Sequence, residues 1–159
     1  YEGLVEMIPN RGAFVAKPSE EDLRQVYRVR EVLEHGMLED AIRHRTEAQL
    51  RAMEENLKAQ EVLTQHYSRQ EYVTLNHTFH WLVVEASANK YYEKYLNELQ
   101  NKVATYLLFW DSSTTNSLSL DLHLRIFEAF RDRDEQKGVL ALMEDLQLAE
   151  ECVRESQQL

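Results

Sequence analysis

Apolar residues recur at helical spacing along most of this chain, and only its first eighteen residues depart from that pattern. Residues 3–8 (GLVEMI) and 13–16 (AFVA) are short apolar runs on either side of Pro9-Asn10-Arg11-Gly12. Proline presets φ, asparagine tolerates the left-handed region and glycine supplies positive φ, so the tetrapeptide predicts a hairpin turn. An isolated two-stranded hairpin is marginal in water, so this head is either packed on something or the remnant of a larger sheet. From Ser19 onward the period is 3.6. Ser19-Glu20-Glu21-Asp22 and Ser68-Arg69-Gln70-Glu71 have the capping-box form, and Thr46 and Asp134 are further N-cap candidates. Asn89 ends one segment, and the polar stretch Asp111 to Ser117 is the long loop signal. Six helices are predicted, at about 20–43, 46–66, 69–88, 90–109, 118–131 and 135–157. Short connections make antiparallel neighbours, so the predicted fold is all-α, an antiparallel bundle preceded by a short β-hairpin.

The informative positions are polar residues inside the apolar stripes, because a polar group on a buried face needs a partner or a purpose. The first helix runs Leu23, Val26, Tyr27, Leu33, Met37, Leu38 and Ala41, with Arg30 and Glu34 inside the stripe. The third runs Tyr72, Phe79, Val83 and Ala86, with Asn76 and His80 inside it at i, i+4. The fifth carries Leu120, Leu124, Phe127 and Phe130 around His123, and the sixth carries Leu142, Leu146, Ala149 and Val153 around Asp145. If these faces converge, the interior holds two imidazoles, a carboxylate, an amide and a guanidinium. Facing helices of a bundle are where metal and ligand sites are built. His80, His123, Asp145 and Asn76 then offer four N/O ligands, which suit Zn, Ni, Mn or Fe better than a thiolate-seeking metal. The competing reading is a set of core polar residues bonded to one another. Arg30 presents a fork of donors that matches a carboxylate, unless Glu34 one turn away occupies it as an internal salt bridge. His77 falls on the other side of its helix and is expected to face solvent or an interface.

Composition narrows the field. The chain has 159 residues, one domain's worth, and carries 28 acidic against 18 basic side chains, a formal charge of −10. Phosphate-backbone binding is driven by Lys and Arg, so this acidic chain is a poor DNA binder by itself. The lone Cys152 cannot pair within the chain, which points to the cytoplasm and to a packing role. No apolar run is long enough for a membrane span. Neither a glycine-rich phosphate loop nor a nucleophile elbow is present, and the enzymatic alternative is a metal-dependent enzyme whose two histidines hold an ion that activates water.

The residues also carry a resemblance. The head GLVEMIPNRGAFVA resembles the end of the winged helix-turn-helix in GntR-type transcription regulators, and the body resembles the FCD effector-binding domain of their FadR subfamily, in its shorter VanR-like form. The matching stretches are Arg30-Glu31-Val32-Leu33-Glu34, Asn76-His77-Thr78-Phe79-His80 with Glu85-Ala86-Ser87-Ala88-Asn89, and His123-Leu124-Arg125-Ile126-Phe127 followed by Asp134. The resemblance implies a homodimer and a divalent metal whose ligands fall on Asn76, His80, His123 and Asp145. It also implies an arginine, here Arg30, that takes a small carboxylate effector. Two positions depart from the family pattern: an aspartate has become Asn76 and a histidine has become Asp145. The resemblance divides the chain into residues 1–17, the remnant of a DNA-binding wing, and residues 18–159, the sensing and dimerisation domain. DNA is then reached only through a winged helix-turn-helix that precedes this chain, with Arg11 at the wing's turn. A dimerisation module with a degenerate, metal-free pocket is the alternative.

Overall fold

A computed structural model describes residues 5–15, 19–107 and 116–156. The head forms an antiparallel hairpin, β1 (Val5–Ile8) and β2 (Gly12–Val15), in register Met7 to Ala13 and Ile8 to Gly12. Its turn is built as the residue types require: Asn10 and Gly12 take positive φ, +61° and +99°, and the Arg11 N–H donates to the Ile8 carbonyl.

Six helices follow: α1 (Glu20–His44), α2 (Glu47–Gln65), α3 (Arg69–Ala86), α4 (Lys90–Leu107), α5 (Asn116–Asp132) and α6 (Glu135–Ser156). Side-chain caps start five of them. Ser19 accepts from the Asp22 N–H, Ser68 from the Glu71 N–H and Asp134 from the Lys137 N–H. The reciprocal capping box forms at Thr46–Gln49, whereas the Asp22 carboxylate turns to Lys102 and Tyr106 and ties α1 to α4. Two boundaries differ from expectation. Helix α3 stops at Ala86, because Ser87 bonds back to Val84 and Ala88 turns left-handed at φ +52°, after which the Asn89 carboxamide caps α4. Helix α5 begins at Asn116, two residues early, since Asn116 and Ser119 are both drawn into the interior. The remainder of the expected 111–117 loop, and residues 108, 109 and 157, lie outside the described residues.

The packed pairs α1–α6, α6–α5, α5–α2, α2–α3 and α3–α1 close a ring of five helices, and α4 lies over the α1–α3 seam. Gly138 permits a close approach in this ring: a Cβ there would stand 2.6 Å from Ile42 Cδ1 and 3.3 Å from both Ala129 Cβ and Leu38 Cδ2. Two arginines lock the helix ends by capping each other's bare carbonyls. Arg45 donates to Phe130 and Arg131 at the end of α5, and Arg133 to Ile42 and Arg43 at the end of α1. On α5 the inward face is Leu120, His123, Ile126 and Phe130; Leu124, expected on it, is exposed because it lies on the flank of the arc centred on His123. Cys152 is buried as a packing residue.

Candidate functional site

A ring of five helices has one shared interior, and the polar residues of four stripes meet in it. Arg30 and Glu34 come from α1, Asn76 and His80 from α3, His123 from α5 and Asp145 from α6. His80 Nε2 stands 3.2 Å from one oxygen of Asp145, and His123 Nε2 stands 3.6 Å from the other. His80, His123 and Asp145 are all buried, with donor atoms within 4.8 Å of one another. Phe79 stacks on the His123 ring at 4.1 Å and holds its plane.

The tautomer of His123 follows from a chain of amides on α2. The Leu75 carbonyl can only accept, and Asn56 Nδ2 donates to it at 3.1 Å. The Asn56 oxygen therefore receives Gln60 Nε2 at 2.6 Å, and the Gln60 oxygen is left facing His123 Nδ1 at 2.8 Å. An amide oxygen has no proton to give, so Nδ1 carries the hydrogen and Nε2 is a bare lone pair. Burial pushes the His123 pKa down to about 4, against the pull of Asp145 and with the repulsion of His80, so the ring is neutral at neutral pH. Asp145 is the converse: burial would raise its pKa, but the His80 hydrogen bond and the Arg30 charge hold it below the usual carboxylate range. Two acceptors, His123 Nε2 and Asp145 Oδ1, thus face each other across 3.6 Å, and Nε2 has no hydrogen-bond partner among the described residues.

Arg30 and Glu34 form the internal salt bridge that their spacing allows, Nε to Oε1 at 2.6 Å, with both side chains at most 3% exposed. Arg30 also borders the interior cavity, with Tyr72, Asn76, His80, Ser119 and Asp145. That cavity measures about 20 Å³, room for a single water and too little for an organic acid. His77, expected at solvent or an interface, is half-buried against α4 and lines a second, adjoining cavity. Helix α4 adds Gln100 to that wall. Gln60 and Asn56 escaped sequence reasoning, although they sit at i, i+4 between Met53, Leu57 and Leu63 and interrupt the α2 stripe as the others do.

Residues 25–148 match the FCD domain family. This chain belongs to that family. Among curated proteins, the FCD chain is 27% identical over 158 residues to the HTH-type transcriptional repressor RspR of Escherichia coli K12, covering 98% of this chain and 69% of that protein. Its fold is shared with E. coli McbR/YncC, with a TM-score of 0.87 at 15% identity over 99% of this chain and 79% of the other. It is shared as well with a GntR-family regulator of Pseudomonas syringae pv. tomato, with a TM-score of 0.74 at 22% identity over 98% and 65% of the two chains. RspR is a transcriptional repressor and not an enzyme, and with the family match this chain is the FCD domain of a transcription regulator. Among the described residues no helix is long and apolar enough to cross a membrane.

Proposed function

We propose that this FCD domain senses a small carboxylate effector with the help of a divalent transition metal, and that it does so as one half of a dimeric DNA-binding regulator. His80, His123 and Asp145 hold the metal, and Asn76 stands beside them at the cavity wall. The observation that carries this reading is the pair of acceptors, His123 Nε2 and Asp145 Oδ1, that face each other in a buried site. Lone pairs so opposed call for a cation between them. Burial opposes a proton there, because it lowers the His123 pKa from its ordinary value. The two His–Asp separations, each to a different oxygen of Asp145, are 3.2 and 3.6 Å, close enough for the three side chains to be drawn onto one ion with N/O bonds of about 2.1 Å. When bound, the metal supplies a Lewis acid for a carboxylate oxygen.

Arg30 takes the effector's carboxylate. Glu34 uses Nε, which leaves the two Nη nitrogens of the fork for an incoming acid. Because the free cavity holds only a water, the effector enters by prising the α1–α3–α4 seam apart, and that movement is the signal. The second copy packs on the exposed face of Val29, Val32, Tyr91 and Tyr95, on the α1 and α4 helices that the effector moves. Residues 1–17 belong to the wing of a DNA-binding unit, with exposed Arg11 directed at DNA, and residues 18–159 form the sensor, in the cytoplasm.

The metal reading is tested on protein purified without an affinity tag, stripped with chelator and titrated calorimetrically with Zn, Ni, Mn and Fe(II). One site per chain is expected, with affinity at least about 100-fold weaker in Asp145→Asn. Absence of stoichiometric uptake of any of the four overturns it and favours the metal-free dimerisation module.

A further inference from the structure

The α3–α4 side of the interior contains a second group of unsatisfied atoms that the metal does not explain. Gln100 is 4% exposed, yet neither the nitrogen nor the oxygen of its carboxamide has a hydrogen-bond partner among the described residues. His77 Nε2 is likewise buried and unpartnered. Both residues line the second cavity, about 10 Å³, which shares Arg30, Asn76 and His80 with the first. Leaving a buried amide unpaired costs about 1–3 kcal/mol per group. The same interior pairs Asn56 and Gln60, and the other α4 residues in this wall are Val103, Ala104 and Leu107, against which an apolar side chain would pack at no such cost.

We infer that Gln100, with His77 beside it, forms a specificity subsite for a neutral group that both donates and accepts a hydrogen bond, a hydroxyl or a carboxamide, carried by the effector at the end away from its carboxylate. The inference rests on the reading of Arg30 as the carboxylate's partner and names what the rest of the ligand must be. A second carboxylate does not fit the subsite, since it has no proton for the Gln100 oxygen. A metal ion does not fit, since it would satisfy the amide's oxygen and leave its N–H groups unpaired. A hydroxyl or carboxamide answers both halves of the glutamine at once. Discrimination of this kind is strong because a ligand lacking the group leaves the same atoms buried and unpaired.

The test has two arms. In the first, calorimetry on metal-loaded protein compares butyrate, γ-hydroxybutyrate and succinamate, acids of equal reach that end in a methyl, a hydroxyl and a carboxamide. One of the polar pair is expected to bind about tenfold tighter than butyrate, and which one wins separates hydroxyl from carboxamide. Gln100→Met should erase that preference and leave butyrate affinity within about twofold. Equal binding of all three acids overturns the subsite and leaves the Arg30 reading standing; failure of all three to bind rejects the Arg30 reading, and the subsite falls with it. The second arm needs no ligand: Gln100→Met should raise the melting temperature of the free protein by a few degrees, because it removes orphaned polar atoms. A lower melting temperature shows that the amide is satisfied within the free protein and overturns the inference whatever becomes of Arg30.

Discussion

Gln60→Leu probes the one hydrogen-bond chain that sets the chemistry of His123. The substitution nearly conserves volume, so no cavity term enters, and it deletes two buried hydrogen bonds: Gln60 to Asn56 at 2.6 Å and His123 to Gln60 at 2.8 Å. Two groups are stranded, the His123 Nδ1–H on a fully buried ring and the Asn56 oxygen on a side chain 7% exposed. At about 1–3 kcal/mol for each stranded group, the expected loss is about 3 kcal/mol. For a domain of this size that lowers the melting temperature by roughly 6–12 °C. Phe79 stacked at 4.1 Å opposes reorientation of the imidazole to find another partner. The assay is urea unfolding of metal-stripped protein, read as a fall in midpoint at constant slope. Asn56→Leu combined with Gln60→Leu should cost less than the sum of the two single variants, because the double variant strands only the histidine. A separate titration should show metal affinity weakened about 10- to 100-fold, as expected when a ligating histidine loses the group that orients it. A Gln60→Leu protein with unchanged midpoint and unchanged metal affinity would refute the assignment of the proton to Nδ1, and with it the argument for a cation.

Other expectations follow from single contacts. His123 has a native pKa of about 4 against an ordinary 6.5, so between those values the unfolded chain binds a proton that the folded one refuses. Stripped protein is therefore fully stable above about pH 6.5 and loses up to about 3 kcal/mol as pH falls to 4; His123→Leu should flatten the slope in denaturant titrations across that window, which lies above the range where the lowered Asp145 titrates. Arg30→Met alone strands a buried carboxylate and should cost about 3–5 kcal/mol, whereas Arg30→Met with Glu34→Leu should recover most of it; a double variant as unstable as the single would remove the pairing as the reason. Gly138→Val forces Ile42, Ala129 and Leu38 apart and should destabilise by about 2 kcal/mol in thermal unfolding. Val32→Glu with Tyr95→Glu should convert a dimer to a monomer by light scattering, and a protein that stays dimeric places the interface elsewhere.

Helix periodicity is a local property, and so the six helices, the hairpin turn at Asn10 and Gly12, and the inward aim of Arg30, Asn76, His80, His123 and Asp145 were legible along the chain. The family likeness pointed to the same five positions from an independent direction. The reading stopped where one helix must know what another offers. Arg30 had two candidate partners, and only the packing showed Glu34 beside it in a cavity that admits a single water. His77, read from its own helix, faces either solvent or an interface, and only the packing lays α4 against it. Gln60 decides which nitrogen of His123 is bare, across 63 positions of sequence, by a relay that ends on the Leu75 carbonyl. Sequence by itself determined which faces carry polar groups, because the helical period depends on neighbours three and four residues away. Tertiary structure alone decided which of those groups are satisfied and which are left for a ligand, because a lone pair or a proton is matched only by whatever the opposing helix brings within 3 Å or so of it.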